Sequence, residues 1–334
     1  MRCMLVTVIA LTASVRTVVA APLVDGTRDA IYGPPKAVQS VQTSFGDNQN
    51  ELDAAFGRID GGTLYLLLTG NLQNNFNKLD VFIDSVPGGQ NVILPDTNNS
   101  GPNPINDGWA SGTGSPPDHH GMAGLTFDVG FAPDYLLFFR HGLSKLDFDY
   151  SVMGGGANAF SSYENVFGGT EEGANTSVAG APTSGTDFGH SFGVAFNNSN
   201  TAGVAGDGSS AADPAAAAAV STGLELAIPL AALGNPTSPI KVMAFINGDR
   251  HTYASNQFLP GLAAPQGSLG GDGFGNFTGG LAGLNLGTFA NSPGDDRWFT
   301  VVPEPSTTLL AGCGLISWAV CLWIKRHRRH RITW

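Results

Sequence analysis

The pentapeptide at 189–193 has the pattern Gly-x-Ser-x-Gly, in which a serine can act as a nucleophile. In α/β-hydrolases this pattern puts the serine on a strained strand-to-helix turn, and an aspartate and a histidine complete the site. Here Asp249 and His251 follow Ser191 in the chain. The residues after the pentapeptide, 194–200, do not predict a helix. We therefore interpret 189–193 as a glycine-rich β-turn, with an esterase as the alternative.

Histidines and acidic residues that could ligate a metal are spread along the chain without the spacing of a known metal site. They are Asp118, His119, His120, His141, His190 and His251. Nothing comparable to the His-Glu-x-x-His motif of zinc enzymes joins them. Exposed loop residues are the better interpretation, so the sequence assigns no catalytic residue and leaves the metal ligands unknown.

Two segments are similar to calcium-binding loops, but each is incomplete. Segment 147–151 begins like an EF-hand loop, and Val152 then occupies the sixth position, which needs glycine. Segment 270–276 is similar to one repeat of a calcium β-roll, which needs stacked copies. We expect no cofactor, with structural calcium as an open alternative because the loops are rich in Asp and Asn.

Trp109, in the Asn-Asp-Gly-Trp turn at 106–109, is the candidate platform for a sugar ring. A large apolar side chain on a loop is costly unless it is buried or binds a ligand. The alternative is that Trp109 anchors its long loop to the body of the protein.

Composition and charge exclude several classes of protein. Of 334 residues 46 are Gly, and only 13% are charged. Residues 22–302 contain nine basic and 26 acidic side chains, a net charge of −17. Nucleic acid is not expected as a partner, since phosphate binding needs a basic surface. The three cysteines, Cys3, Cys313 and Cys321, lie outside this body, so it has no disulfide and no thiol nucleophile.

Short apolar runs between turn residues predict an all-β body with long Gly- and Asn-rich loops at 85–120, 154–190 and 197–222. We predict strands over 64–69, 79–84, 125–129, 135–141, 224–228 and 240–247, a helical turn at 230–233 and a short helix within 211–220. Several strands are apolar at successive positions, which favours cover on both faces. The predicted buried positions are Leu64, Leu66, Leu68, Val81, Ile83, Leu226, Ile228, Val242 and Phe245.

The N-terminus has the order of a secretory signal peptide over 1–20. Arg2 precedes a short apolar segment at 5–11, and small residues at 18 and 20 predict cleavage after Ala20. The body, 21–302, is therefore expected outside the inner membrane.

The C-terminus contains three consecutive features. Pro303, Glu304 and Pro305 precede an apolar run of 18 residues at 307–324, which spans about 27 Å as a helix. A basic cluster over 325–331 follows, which is expected to stay cytoplasmic. Its members are Lys325, Arg326, Arg328, Arg329 and Arg331.

This order over 303–331 closely resembles the PEP-CTERM sorting signal of Gram-negative bacteria. The resemblance implies recognition and removal of the membrane helix by an exosortase, with the export machinery and the membrane as further partners. It also implies delivery to the cell surface or to an extracellular polysaccharide matrix. The alternative is a permanent C-terminal membrane anchor.

The body itself resembles family 9-type carbohydrate-binding modules and their DOMON-like relatives. The resemblance depends on four segments in the expected order: Val-Asp-Gly-Thr-Arg-Asp at 24–29, Thr-Leu-Tyr-Leu at 63–66, Leu-Asp-Val-Phe-Ile-Asp at 79–84 and Leu-Glu-Leu-Ala-Ile-Pro at 224–229. It implies a jelly-roll-like β-sandwich, and sugar binding is not carried over because no ligand motif matches.

Together these patterns predict an exported cell-surface or matrix protein with a non-enzymatic structural or carbohydrate-contacting role. Extracellular polysaccharide is the expected partner. A secreted glycan-acting or esterase-type hydrolase is the alternative.

Overall fold

The computed structural model describes residues 20–95, 109–111, 121–154, 159–178, 181–206, 208–289 and 296–303. The signal peptide up to residue 19, the Asp118–His120 tandem and the chain from Glu304 onward lie outside the described residues. Of the proposed sorting motif, Pro303 alone is described.

Fourteen strands form two antiparallel sheets, with one short α-helix in the described part of the chain. One sheet has the order β1-β2-β3-β11-β10-β8, and the other has the order β13-β12-β4-β5-β6-β7-β9 with β14 paired to β12. The strands are β1 Ala37–Val38, β2 Glu51–Asp60, β3 Thr63–Asn71, β4 Lys78–Asp84, β5 Tyr135–Gly142, β6 Lys145–Val152, β7 Ala159–Tyr163, β8 Gly173–Val178, β9 Ser184–Gly185, β10 Phe192–Phe196, β11 Gly223–Pro229, β12 Ile240–Asn247, β13 Ala254–Leu259 and β14 Phe299–Val301.

The two sheets face each other across a shared core, which is built from alternate residues of each strand. From the six-stranded sheet it takes residues such as Leu66 and Leu226, and from the eight-stranded sheet residues such as Val81 and Val242. The all-β prediction is confirmed, and eight of the nine predicted core positions belong to this shared core.

Phe245 is the exception, because it is buried on the opposite face of its strand. Val242, Ala244 and Ile246 point into the shared core, so Phe245, three residues after Val242, points away from it. There it joins a second group of buried residues, the outer cluster. The outer cluster contains Phe82, Ile93, Trp109, Met122, Leu125, Phe127, Phe131, Leu136, Phe138, Met243, Phe245, Phe258, Leu269, Leu281, Leu284 and Leu286.

The outer cluster explains why the strands are apolar at successive positions. Side chains on the outer face of β4, β5 and β12 are covered by segments 121–131 and 260–289. The predicted strand at 125–129 belongs to this cover and is not a strand. Thr126 makes only isolated bridges there, to Val92 and to Asn285.

Helix α1, Pro214–Ala219, begins where Asp213 accepts hydrogen bonds from the backbone N–H groups of Ala215 and Ala216. The predicted turn at Leu230–Leu233 is a 3-10 helix that ends at Gly234 in the left-handed conformation. Within the described residues, no helix has the length and apolar character needed to cross a bilayer.

Candidate functional site

Ser191 does not lie on a nucleophile elbow. It sits in an extended segment directly before β10, in the six-stranded sheet, and its Oγ is 3.0 Å from the Oγ of Ser177. His251 lies in the connection from β12 to β13, in the eight-stranded sheet. Among the described residues no hydrogen bond joins Ser191 to His251 or Asp249.

His251 forms a buried dyad with Asp80, a pairing that the sequence analysis did not anticipate. Its Nδ1 is hydrogen-bonded to Asp80 Oδ2 at 3.1 Å, and Asn247 Nδ2 donates to the same oxygen at 3.0 Å. The edge of the Phe138 ring packs against the imidazole with a centroid separation of 4.7 Å. Both members of the dyad are fully buried, and His251 Nε2 has no hydrogen-bond partner.

The backbone at the dyad adopts a conformation that is uncommon outside glycine. Arg250 and His251 have φ angles of 55° and 58°. Such residues cost about 1–3 kcal/mol each and persist only where their surroundings determine the conformation. Asn247, which accepts a hydrogen bond from the N–H of Tyr253, closes this turn.

The dyad belongs to a polar row on the outer face of β4, β5 and β6. Arg140 donates two hydrogen bonds to Asp147 on the neighbouring strand, at 3.0 and 2.6 Å. Lys78 Nζ lies 3.4 Å from Asp249 Oδ1. Chemically the arrangement holds an imidazole in one orientation, but it presents no surface to a ligand because the dyad is enclosed.

The other histidines in the described chain make structural contacts. His141 binds the backbone oxygen of Leu72 through Nδ1 and contacts Glu171 through Nε2, at 2.6 and 3.2 Å. His190 stacks on Phe188. In the described ranges no group of three or more His, Cys, Asp or Glu is placed to hold a metal. Asp147 lies in strand β6 and pairs with Arg140, so segment 147–152 is part of a strand and is not an EF-hand loop.

Trp109 is not on the surface. Trp109 has no exposed area and belongs to the outer cluster, which also contains Phe82 and Phe138 of the eight-stranded sheet. Its backbone oxygen accepts a hydrogen bond from the N–H of Met122 at 2.7 Å. The expectation of a sugar platform at Trp109 is therefore wrong for this structure, and the anchoring alternative describes its position.

The two most exposed phenylalanines of the described residues lie instead on segment 270–280, which we call the aromatic loop. The side chain of Phe274 is 87% exposed and that of Phe277 is 58% exposed. Both rings occur within Gly-Phe-Gly-Asn-Phe at 273–277. Two phenylalanines close together among small residues in a turn-rich segment are the signal that the sequence offers for this site.

The aromatic loop is held by its own hydrogen bonds and by the outer cluster. Asp272 accepts from the N–H groups of Phe274 and Asn276 and from Asn276 Nδ2, at 2.9, 3.3 and 2.8 Å. These bonds lower the pKa of the Asp272 carboxyl. The Tyr253 hydroxyl donates to Gly275 O at 3.0 Å, and Leu269 is buried directly before the loop. The exposed rings are thus mounted on an ordered support.

A cleft of about 250 Å³ is lined by residues that flank the two phenylalanines in the chain. Its lining is mostly glycine and alanine, with Asp272 and Thr278 as the two polar side chains: Gly271, Asp272, Thr278, Gly280, Ala282 and Gly283. A side chain at position 271 would meet Thr278 Oγ1 at 1.9 Å, so the floor of the cleft requires glycine there. The cleft and the exposed rings together form the candidate binding site.

Pro303 forms an isolated parallel bridge with Ile59 of β2, just after β14 ends. The described body therefore continues to the first residue of the proposed sorting motif.

Comparison with known proteins does not assign the chain to a family. No protein-family model matches it, and no curated protein or solved structure matches it.

Proposed function

We propose that this protein is an exported, non-enzymatic β-sandwich of the cell surface or extracellular matrix that contacts neutral polysaccharide. The observation that carries the proposal is the pair of exposed side chains, Phe274 and Phe277, on the aromatic loop, which also contributes Gly271, Asp272 and Thr278 to a small cleft. We also propose that the two sheets form a jelly-roll-like sandwich of the kind found in the carbohydrate-binding modules that the four sequence segments resemble.

The chemistry of the loop favours an uncharged sugar. Aromatic faces bind the apolar C–H faces of pyranose rings, and nearby carboxylate and backbone groups can bind the hydroxyls. Exposed phenyl rings cost solvation free energy that a ligand can recover. An anionic polymer is disfavoured, because the net charge of −17 over 22–302 would repel it.

Replacing Phe274 and Phe277 together by alanine is expected to weaken polysaccharide binding by about tenfold or more. Two stacked rings contribute roughly 0.5–1.5 kcal/mol each beyond burial. The melting temperature should change little, because both side chains are more than half exposed and belong to no buried cluster. Affinity electrophoresis against a panel of neutral and anionic polysaccharides measures the binding.

Val129→Ala is the matched control, since Val129 is 89% exposed and lies on a different segment. It should leave binding unchanged. If the double Phe variant binds every polysaccharide as well as the wild type does, the aromatic loop is not the binding site.

The alternative of a hydrolase centred on Ser191 has less support. Ser191 and His251 lie on different sheets, and His251 is enclosed with Asp80. No observation on the described residues favours an esterase over a binding module.

Processing at the C-terminus is a separate part of the proposal, and it rests on the sequence alone. We expect the membrane helix at 307–324 to hold the chain until an exosortase acts near Pro303, Glu304 and Pro305. In cells lacking the exosortase, the full-length species should accumulate in the membrane fraction. Immunoblotting of membrane and released fractions measures this. An unchanged released fraction would contradict the sorting assignment.

A further inference from the structure

Two carboxyl groups, those of Glu51 and Asp53, are buried together on β2, and no ion pair joins either of them to a basic side chain of the described residues. Both residues have no exposed surface. Asp53 lies where the register of β2 against β3 shifts, between Leu52 and Ala55. A bulge of this kind redirects a side chain. Charged groups removed from water are normally paired with an opposite charge or coordinate a metal ion.

The side chain of Asn200 lies between these carboxylates. Its Nδ2 is 3.0 Å from Glu51 Oε1, 3.1 Å from Asp53 Oδ2 and 2.7 Å from the backbone oxygen of Ala202. An amide NH₂ group has two hydrogens, so three converging oxygens exceed what it can satisfy. Oxygen atoms therefore surround Asn200 Nδ2 in the way that they would surround a bound cation.

A separate observation also points to a ligand here. Asn71 is the direct cross-strand partner of Glu51, so the two side chains lie on the same face of the sheet. The Asn71 amide donates through Nδ2 to the backbone oxygens of Asn198 and Asn200. Its Oδ1 is buried and has no hydrogen-bond partner. A buried carbonyl oxygen without a donor is uncommon in proteins.

The loop that covers these residues fits closely over them. The N–H of Val204 donates to Asp53 Oδ1 at 2.8 Å, and a side chain at Gly203 would come within 1.9 Å of that same oxygen. Gly203 also has a φ of 106°, which favours glycine. The loop can therefore lie this close to Asp53 only with glycine at position 203.

We propose that Glu51, Asp53, Asn71 and the 198–202 backbone form a binding site for one calcium ion. All the donor atoms are oxygens, and two of the groups are acidic. Rotation of the Asn71 and Asn200 amides would turn their oxygens toward the ion. Calcium accepts six to eight oxygens in an irregular arrangement, whereas magnesium demands a strict octahedron. This site is distinct from the aromatic loop and does not depend on the proposed function.

The test uses the full chain in detergent, stripped of metal with a chelator and then titrated with CaCl₂ or MgCl₂. Calorimetry should show one calcium ion bound per chain. At pH 8 the melting temperature should rise by about 5 °C at calcium concentrations about a hundred times the dissociation constant. Magnesium should give a much smaller shift.

Glu51→Gln and Asp53→Asn should each weaken calcium binding by about tenfold or more. Asn71→Asp should strengthen calcium binding, because the substitution adds a charged ligand. This variant tests the site even where Glu51→Gln or Asp53→Asn folds poorly. Glu225→Gln is the control. Glu225 is also buried on this sheet, but it accepts hydrogen bonds from Tyr32 and from the N–H groups of Asp25 and Gly26.

Two results would overturn the site: no calcium-dependent change in melting temperature at millimolar calcium, or a loss of binding in Glu225→Gln equal to that in Glu51→Gln. A strong fall in stability from pH 5 to pH 8 that calcium does not relieve would show a proton-sharing pair of carboxyl groups in its place.

Discussion

Replacing Trp109 by alanine lowers the free energy of unfolding by about 3–5 kcal/mol, the range for removal of a large, fully buried aromatic side chain. Trp109 has no exposed surface and packs in the outer cluster with Phe82 and Phe138. Its loss leaves a cavity in the outer cluster, against the outer face of the eight-stranded sheet, which the paired strands cannot close. Urea unfolding followed by circular dichroism measures the change.

Val129→Ala again provides the control, and it should change stability by less than about 0.5 kcal/mol. Polysaccharide binding by Trp109→Ala, measured below its melting temperature, should equal that of the wild type. A variant with unchanged stability and no polysaccharide binding would restore Trp109 as a sugar platform and contradict its buried position.

Asp80→Ala is expected to cost about 3–5 kcal/mol, as does removal of one partner from a buried polar pair. The substitution leaves His251 Nδ1 and Asn247 Nδ2 without their acceptor in an enclosed site. Urea unfolding at a fixed pH gives the difference in free energy.

Asp249→Ala is the matched control for Asp80, because Asp249 contacts the same polar row through Lys78 but its side chain is 63% exposed. It should change stability by no more than about 0.5 kcal/mol. The double variant Asp80→Leu with His251→Phe removes both polar partners and should be more stable than Asp80→Ala alone. Equal losses for Asp80 and Asp249 would show that the dyad makes no special contribution.

The strands that the sequence predicted correctly are those with several β-branched or aromatic residues in a row. The predicted strands at 79–84 and 240–247 correspond closely to β4 and β12. Strands β2 and β6 were missed because Asp, Gly and Ser interrupt their apolar runs. In β6, Asp149 and Ser151 lie opposite the face that carries Phe148 and Tyr150, and both are nevertheless buried. Local propensity cannot reveal cover that depends on tertiary structure.

The candidate sites were harder to predict than the strands, because each depends on pairs of residues far apart in the chain. Asp80 and His251 are 171 positions apart, and Glu51 and Asn200 are 149 positions apart. Phe245 is buried as predicted, but on the outer face, because its offset of three positions from Val242 puts it on the opposite side of the strand. For Trp109 the residue type was informative, but burial had to come from the fold.

The pairing of β14 with β12 puts the exit of the chain at one end of β12, and the aromatic loop lies near the other end. Val301 lies opposite Ile240 at the start of β12, whereas Asn247 at the end of β12 lies opposite Ala254, next to Tyr253 and its hydrogen bond to the aromatic loop. The chain thus leaves the sheet about 23 Å from that loop, at roughly 3.3 Å per residue along β12. Three residues separate Pro303 from Thr307, so the four steps between them form a tether of at most about 14 Å. While the proposed helix is in the membrane, so short a tether keeps the exit end of the sandwich close to the lipid. In that proposed arrangement we expect the body to act as a spacer that holds Phe274 and Phe277 away from the lipid, where they could contact a glycan strand before the proposed release.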